Sequence, residues 1–209
     1  GEMEILQHLA PTDAQRNSNI AFDVATSRAS HAPSVTSVGV TGQMTGSRAS
    51  LIIADDVESA NNSATQTQRE KLSETMKEFE AILTPDPTSE IIYLGTPQTE
   101  ESIYNVLAER GYKQQIWTAR YPKNAKQLES YGPKLAPYVA DRWTEENAWT
   151  AVDPDRFDDR DLSEREASYG RSGFALQFML DTTLSDQDKY PLKLSDLIVM
   201  DIDLSLIHI

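Results

Sequence analysis

Apolar residues in this chain come in short clusters, and the spacing within the clusters changes along it. Leu51-Ile52-Ile53-Ala54 and Ile91-Ile92-Tyr93-Leu94 are continuous apolar runs that end abruptly in polar residues. Runs this short, rich in Ile and bounded by turn or acidic residues, predict buried strands of a parallel sheet. Between them Leu72, Met76, Phe79 and Leu83 fall at steps of 4, 3 and 4. That spacing predicts a helix over 68–83 with one apolar face, ended by Pro85 and Pro87, and Asn61-Asn62-Ser63 reads as the loop before it. After the second run, Thr99 is the predicted N-cap of a helix carrying Ile103, Val106 and Leu107, with Gly111 as its stop. Residues 115–119 predict a third strand, 20–24 and 34–40 two more upstream, and 41–48 a turn-rich loop.

Strand, helix, strand, helix, strand in that order implies an α/β domain with a largely parallel sheet. Beyond Tyr121 the pattern changes. Residues 122–160 mix prolines, aromatics and charges without a sustained period. Residues 161–180 read as a helix with a break near Gly170 or Gly173, most apolar from Phe174 to Leu180. There is no internal repeat and no low-complexity tract.

The totals narrow the function classes. At 209 residues, 39% hydrophobic and 25% charged, the chain suits a soluble globular protein with one sizeable core or a domain plus an appendage. No apolar run approaches the roughly 18 residues that span a bilayer, and Gly1-Glu2-Met3-Glu4 lacks the order of a signal peptide, so no membrane association is expected. The absence of cysteine excludes disulfides and thiolate metal sites and fits a reducing cytoplasm. His8, His31 and His208 are too scattered for a zinc site. A net charge of -14 argues against a free-standing nonspecific DNA binder, though not against a motor whose DNA contacts lie on another domain or one local face.

In open α/β sheets ligands sit at the carboxyl ends of strands. The candidate site is therefore Asp55, Asp56 and Glu58 after one run, and Gly95, Thr96 and Pro97 after the other. An apolar strand ending in two acids has the form of a Walker B element, in which one acid holds the water shell of Mg²⁺ and another positions the attacking water. The plainer account is a strand followed by an acidic turn. Thr96 can hydrogen-bond toward a γ-phosphate or toward the acids, Gly95 permits close backbone approach and Pro97 fixes the turn. A β-turn before a helix is the ordinary alternative. The 41–48 loop, with Gly42, Gly46 and Arg48, could cradle phosphate or place Arg48 as a charge stabiliser. No segment has the Gly-x-x-x-x-Gly-Lys-Ser/Thr pattern, however, and a tight loop between strands is preferred. Asp201 and Asp203 would need carboxylates from further strands to form a two-metal nuclease site, and only six residues follow. Trp117, Tyr121, Trp143 and Trp149 could stack on bases, but packing is the commoner use of such residues.

The same residues carry a resemblance. Gly46-Ser47-Arg48-Ala49, the run Leu51 to Glu58, Asn62-Ser63-Ala64-Thr65-Gln66, and Tyr93 to Glu100 resemble the large terminase subunit, or DNA maturase B, of short-tailed phages of the T7 kind. So do Arg156-Phe157-Asp158, the run Gly173 to Leu180, and Leu184-Ser185-Asp186, and the likeness covers most of 20–200. Asp-Asp-Val-Glu and Gly-Thr-Pro-Gln-Thr-Glu together are its specific part. The resemblance implies an ATP-driven, Mg²⁺-dependent motor that translocates double-stranded DNA into a procapsid, with a nuclease domain that cuts concatemers. It implies part of a P-loop NTPase domain of the ASCE type, with a mostly parallel sheet, over 1–121. A helical and irregular lid or linker subdomain over 122–200 would lead toward the nuclease, and 201–209 would be a tail whose last residues match nothing in the family.

On the same resemblance, Asp55 is the Walker B acid acting on Mg²⁺. Asp56 stands where most terminases place the Glu that orients water, and its shorter side chain leaves Glu58 as the alternative. Gly95, Thr96 and Pro97 become the motif coupling hydrolysis to DNA movement, and Arg48 a contact to nucleotide. The implied partners are double-stranded DNA, the portal protein and the small terminase subunit. The full protein would be a homo-oligomeric ring in the host cytoplasm. The Walker A loop lies upstream in that family and the nuclease downstream, so the chain reads as an internal fragment without ATPase activity of its own. Two other readings remain. One is a superfamily 2-type helicase or translocase fragment, whose second element is Ser-Ala-Thr where this chain has Gly-Thr-Pro. The other is a non-catalytic acidic module of a viral assembly.

Overall fold

The computed structural model describes residues 4–182, apart from Ala29, Gln43, Thr45 and Glu100. The chain is mixed α/β and divides into two compact units, one of residues 1–57 with 70–94 and one of 58–69 with 95 onward. Asp201, Asp203 and the 201–209 tail lie outside the described residues.

The first unit opens with a 3₁₀ turn, Glu4–Leu9, and two very short antiparallel strands, β1 Ala21–Phe22 and β2 Val35–Thr36. These are remnants of the strands predicted over 20–24 and 34–40. Val35 and Val38 are exposed, and a two-stranded ribbon with no covered face is marginal in water. Polar contacts hold the region instead. The Arg16 guanidinium pairs with Asp23 at 3.1 Å and donates to the carbonyl of His31, and Asp23 accepts from the Ser34 amide.

The unit's main feature is a parallel pair, β3 Leu51–Asp55 and β4 Glu90–Leu94. Parallel strands need a long crossover. Here it contains α1 Ala60–Ser63 and α2 Gln66–Ile82. A loop was expected at 61–63, but the Asn62 side chain accepts from the Ser59 amide and closes a helical turn there. The predicted apolar face of α2 is confirmed: Leu72, Met76 and Phe79 are buried, and Phe79 stacks on Tyr93 of β4 with ring centroids 6.2 Å apart.

Register pairs Ile52 with Ile91 and Ala54 with Tyr93, so these four share one sheet face, and the inward ones are buried or half-buried. Leu51, Ile53, Ile92 and Leu94 share the other face and are 38–59% exposed. The expectation of strands buried on both sides is therefore corrected. The run of apolar residues is continuous, but among the described residues only one face has a covering layer. Full burial of such a side chain is worth about 1.5–3 kcal/mol, so the half-exposed set leaves roughly 3–6 kcal/mol unused.

The second unit is built on helices: α3 Ile103–Glu109, α4 Ala125–Tyr131, α5 Pro137–Ala140 and α6 Asp159–Met179. The cap of α3 is Ser102 and not Thr99, because the Ser102 hydroxyl is the one that accepts from the Tyr104 amide. Gly111, at φ +96°, ends that helix as expected. Its amide bonds to Ala108 O and the Tyr112 amide to Leu107 O, a pairing that needs a left-handed residue between them. Asp158 caps α6 by accepting from the Asp161 amide, and Gly170, at φ +70°, kinks it where a break was expected. One core cluster joins Tyr121, Tyr131, Leu135, Ala136, Val139 and Val152, and a second joins Leu162, Phe174 and Met179.

The strand predicted at 115–119 does not form. Its backbone groups are satisfied one at a time by different segments: Ile116 with Lys134 and Ala136, and Ala119 with Phe178 and Val152. No single neighbour runs beside it long enough to make a ladder. Among the described residues, no helix is long and apolar enough to cross a membrane.

Arg120, next in the chain, ties this region to α6. It is only 3% exposed. Its guanidinium donates to Trp149 O at 2.7 Å, Asp159 Oδ1 at 2.8 Å, Asp159 O at 3.1 Å and Ser163 Oγ at 3.0 Å, and it lies 5.6 Å from the centroid of Trp149. Asp159 Oδ1 also accepts from the Ala151 amide. Tyr131 adds a buried bond from its hydroxyl to Met179 O, and burial, then the charge of Asp181, holds its pKa above the usual tyrosine range. Arg120→Met keeps the buried stem but strips every donor. We expect it to lower unfolding stability by about 1–3 kcal/mol, since the half-buried Trp149 carbonyl and the Asp159 carboxylate both lose their charged donor. Thermal melts of the two chains check this, and an unchanged midpoint would contradict it.

Candidate functional site

Alternation along β3 puts Asp55 on the open face with Leu51 and Ile53. At Asp56 the backbone turns left-handed, with φ +46°, which ends the extended run. Aspartate is one of the few side chains that tolerates this conformation, because its short polar group can bond locally. The Asp56 amide still makes a last rung, donating to Leu94 O at 3.0 Å. The register also pairs Asp55 with Leu94, so β3 and β4 finish together.

Both aspartates are exposed, and among the described residues neither carboxylate has an ion-pair or hydrogen-bond partner. Among those residues, no cluster of three or more His, Cys, Asp or Glu could hold a metal by itself. Mg²⁺ at nucleotide sites takes one or two carboxylates, with waters and phosphate oxygens completing its shell. The donor set of Asp55 and Asp56 fits that chemistry and does not fit an all-protein metal cage.

Glu58, in the second unit, has the opposite environment. It is 4% exposed. Its Oε1 accepts from the Gln98 amide at 2.8 Å, and its Oε2 accepts from the Ser102 hydroxyl at 2.9 Å and the Ile103 amide at 2.7 Å. A buried carboxylate is tolerable only with such donors, and the last of them is at the start of α3, where negative charge is favoured.

Gly95, Thr96 and Pro97 open the loop that Glu58 holds. Gly95 is exposed at φ +155°, and Tyr104 of α3 lies so close that a Cβ here would overlap its hydroxyl and ring. Thr96 and Pro97 are half-buried, and the Gln98 side chain donates to Thr96 O at 3.1 Å. The Thr99 hydroxyl is buried and has no hydrogen-bond partner among the described residues.

Arg48 is not brought to the acids. It is exposed, donates to its neighbour's carbonyl at Ser47, and precedes the first residue of β3, whereas Asp55 is the last. At roughly 3.3 Å per residue the two are about 20 Å apart along the strand. The four aromatics separate. Tyr121 is core, the Trp143 indole donates to Pro122 O, and Trp149 packs against Phe174. Trp117 is exposed and stacks on Tyr138.

Ser102 and Tyr104 shape the site without having been candidates in the sequence. A serine directly before the first periodic apolar residue is an N-cap signal that points to Ser102, while nothing in the pattern marks Tyr104. Gly95→Ala should cost about 1–3 kcal/mol of stability through the forced shift of Tyr104. Adding Tyr104→Ala should remove the part of that cost due to the clash and leave the part due to the backbone, which at φ +155° a side chain rarely adopts. Denaturation midpoints of the single and double variants check this, and a Gly95→Ala chain as stable as its parent would contradict the packing.

Comparison with known proteins bears on these residues. No family model matches the chain. Over 205 residues, 96% of this chain and 35% of the relative, the sequence is 51% identical to the terminase large subunit of Enterobacteria phage T3. The chain thus spans about a third of the length of that relative. An identity of this size across nearly the whole sequence places the chain, as a segment, in the terminase large-subunit family.

Proposed function

We propose that this segment belongs to an ATP-driven motor that moves double-stranded DNA into a phage procapsid, with the end of β3 at its hydrolytic centre. The observation that supports this best is the parallel register. The strand that ends in Asp55-Asp56 and the strand that runs on into Gly95-Thr96-Pro97 finish side by side. Asp55 would hold Mg²⁺ through its water shell and Asp56 would orient the attacking water. When bound, the ion would supply neutralisation of the charge that develops on the transferred phosphate. Gly95, Thr96 and Pro97 would couple hydrolysis to movement of DNA. Arg48, at the far end of β3, would serve only a phosphate presented there, as by a neighbouring subunit of a ring.

In this reading the domain is a P-loop NTPase of the ASCE type. Its Walker A loop comes from the remaining length of the terminase, and further layers of that domain cover the open sheet face. Residues 1–121 belong to the motor core, and 122–200 form a lid or linker toward the nuclease. DNA, the portal protein and the small terminase subunit are the partners, in the host cytoplasm. The charge of -14 leaves phosphate contacts to another part of the protein or a local face. No observation favours the helicase or the scaffold alternative.

The segment by itself should show no ATP turnover above background. In a full-length terminase carrying this sequence, Asp55→Ala and Asp56→Ala should each lower DNA-stimulated ATP hydrolysis by about 100-fold or more. Both should abolish packaging and spare nuclease activity. Normal packaging by both variants would refute the assignment.

A further inference from the structure

We propose that Glu58 is a positioning residue that clamps the 95–102 loop to the start of α3, and that it does not activate water. The proposal rests on the motor reading, within which Glu58 was the alternative to Asp56. A general base needs an acceptor facing the proton it takes. Glu58 is shut off from solvent, and three of the roughly four acceptor directions of a carboxylate are occupied.

The identity of the three donors gives the role. The Gln98 amide directly follows Gly95-Thr96-Pro97, and the Ser102 hydroxyl and Ile103 amide form the cap and first residue of α3. One side chain thereby fixes both ends of the 98–103 stretch. Glu58 is also two residues after Asp56, whose amide is bonded to the end of β4. The chain leaves β3 and β4 next to each other, and Glu58 joins the two departing segments again a few residues later. A shift of the acidic turn during hydrolysis would pass through Glu58 to the loop and to α3. Thr96 and Pro97, which carry no bond to Glu58 themselves, would be held in place by it.

Glutamine cannot replace this carboxylate. If its oxygen faces Gln98, its NH₂ meets the Ile103 amide, and if it is flipped, its NH₂ meets the Gln98 amide. The Ser102 hydroxyl can turn to accept, but a backbone amide cannot. One arm is therefore lost in either orientation.

The test uses full-length terminase with Glu58→Gln, Ser102→Ala and the double variant, alongside Asp55→Ala and Asp56→Ala. Amide hydrogen exchange over 96–104 is measured together with DNA-stimulated ATP turnover. With Glu58→Gln, exchange in this stretch should rise about tenfold or more as the bonds open. kcat should fall about tenfold through misplacement, with KM for ATP and the shape of the pH profile unchanged. Ser102→Ala, the milder change, should move both readouts the same way by less. The double variant should fall short of the sum of the two single effects, since Glu58 and Ser102 share one bond while Ser102 also caps α3 by itself. Parental exchange and turnover in Glu58→Gln would overturn the clamp. So would a kcat loss as deep as that of Asp56→Ala with exchange unchanged, which would make Glu58 the base. Full turnover in both aspartate variants would instead refute the motor reading, while the exchange result would still report on the clamp.

Discussion

Two parallel strands cannot be joined by a tight turn, and this constraint organises the first unit. After β3 the chain must return to its starting end before β4 can begin, and α2 carries it back. The helix is held by burial of Leu72, Met76 and Phe79 and by the stacking of Phe79 on Tyr93. Register then follows from which side chains face the helix. A slip of β3 by one residue against β4 would turn Ile52 and Ala54 away from it and send Leu51, Ile53 and Asp55 inward. With register fixed, Asp55 must finish beside Leu94. The ends of the two strands are thus placed by packing several residues away, and the polar residues that follow each are free to be chosen for chemistry.

Environment divides the three acids of one short segment into two kinds. Asp55 and Asp56 are exposed and, among the described residues, their carboxylates have no partner, so their charge is available to a cation. Glu58 is enclosed, and its charge is consumed by two backbone amides and a hydroxyl. The backbone produces the division. The left-handed turn at Asp56 ends the strand's alternation, Val57 is buried directly after it, and Glu58 follows into the interior. Residue type alone does not separate the environments of Asp56 and Glu58, but solvent access and bonded donors do.

The sequence made the central elements legible because their signals are physical and local. A 3.6-residue period identified α2, and short Ile-rich runs identified β3 and β4. Glycines marked the stop of α3 and the break in α6. What could not be read depends on distant partners. Residues 115–119 have strand composition but meet Lys134, Ala136, Val152 and Phe178 in turn, so no ladder follows. Thr99 and Ser102 are both cap-forming types, and Glu58, 44 residues from Ser102, bonds to Ser102 and so helps fix the helix start there. The exposed face of the sheet was hidden for a related reason. Continuous apolar runs indicate what a strand can bury, while whether it does so depends on a layer that the strand's own residues do not specify. The acids and the Gly-Thr-Pro segment were legible as a pair, whereas Arg48 looked close in sequence and is separated from Asp55 by the length of a strand.

The metal-nucleotide complex proposed at the shared end of β3 and β4 can be located by iron-directed cleavage. Fe²⁺ replaces Mg²⁺ in full-length terminase with ATP bound, peroxide and ascorbate are added, and the cut sites are mapped. Cuts are expected at 55–57 and 94–97, lost in Asp55→Ala, with none near 48–51 or 88–90. Cuts confined to the opposite end of the strands, or the same pattern without Asp55, would contradict that placement.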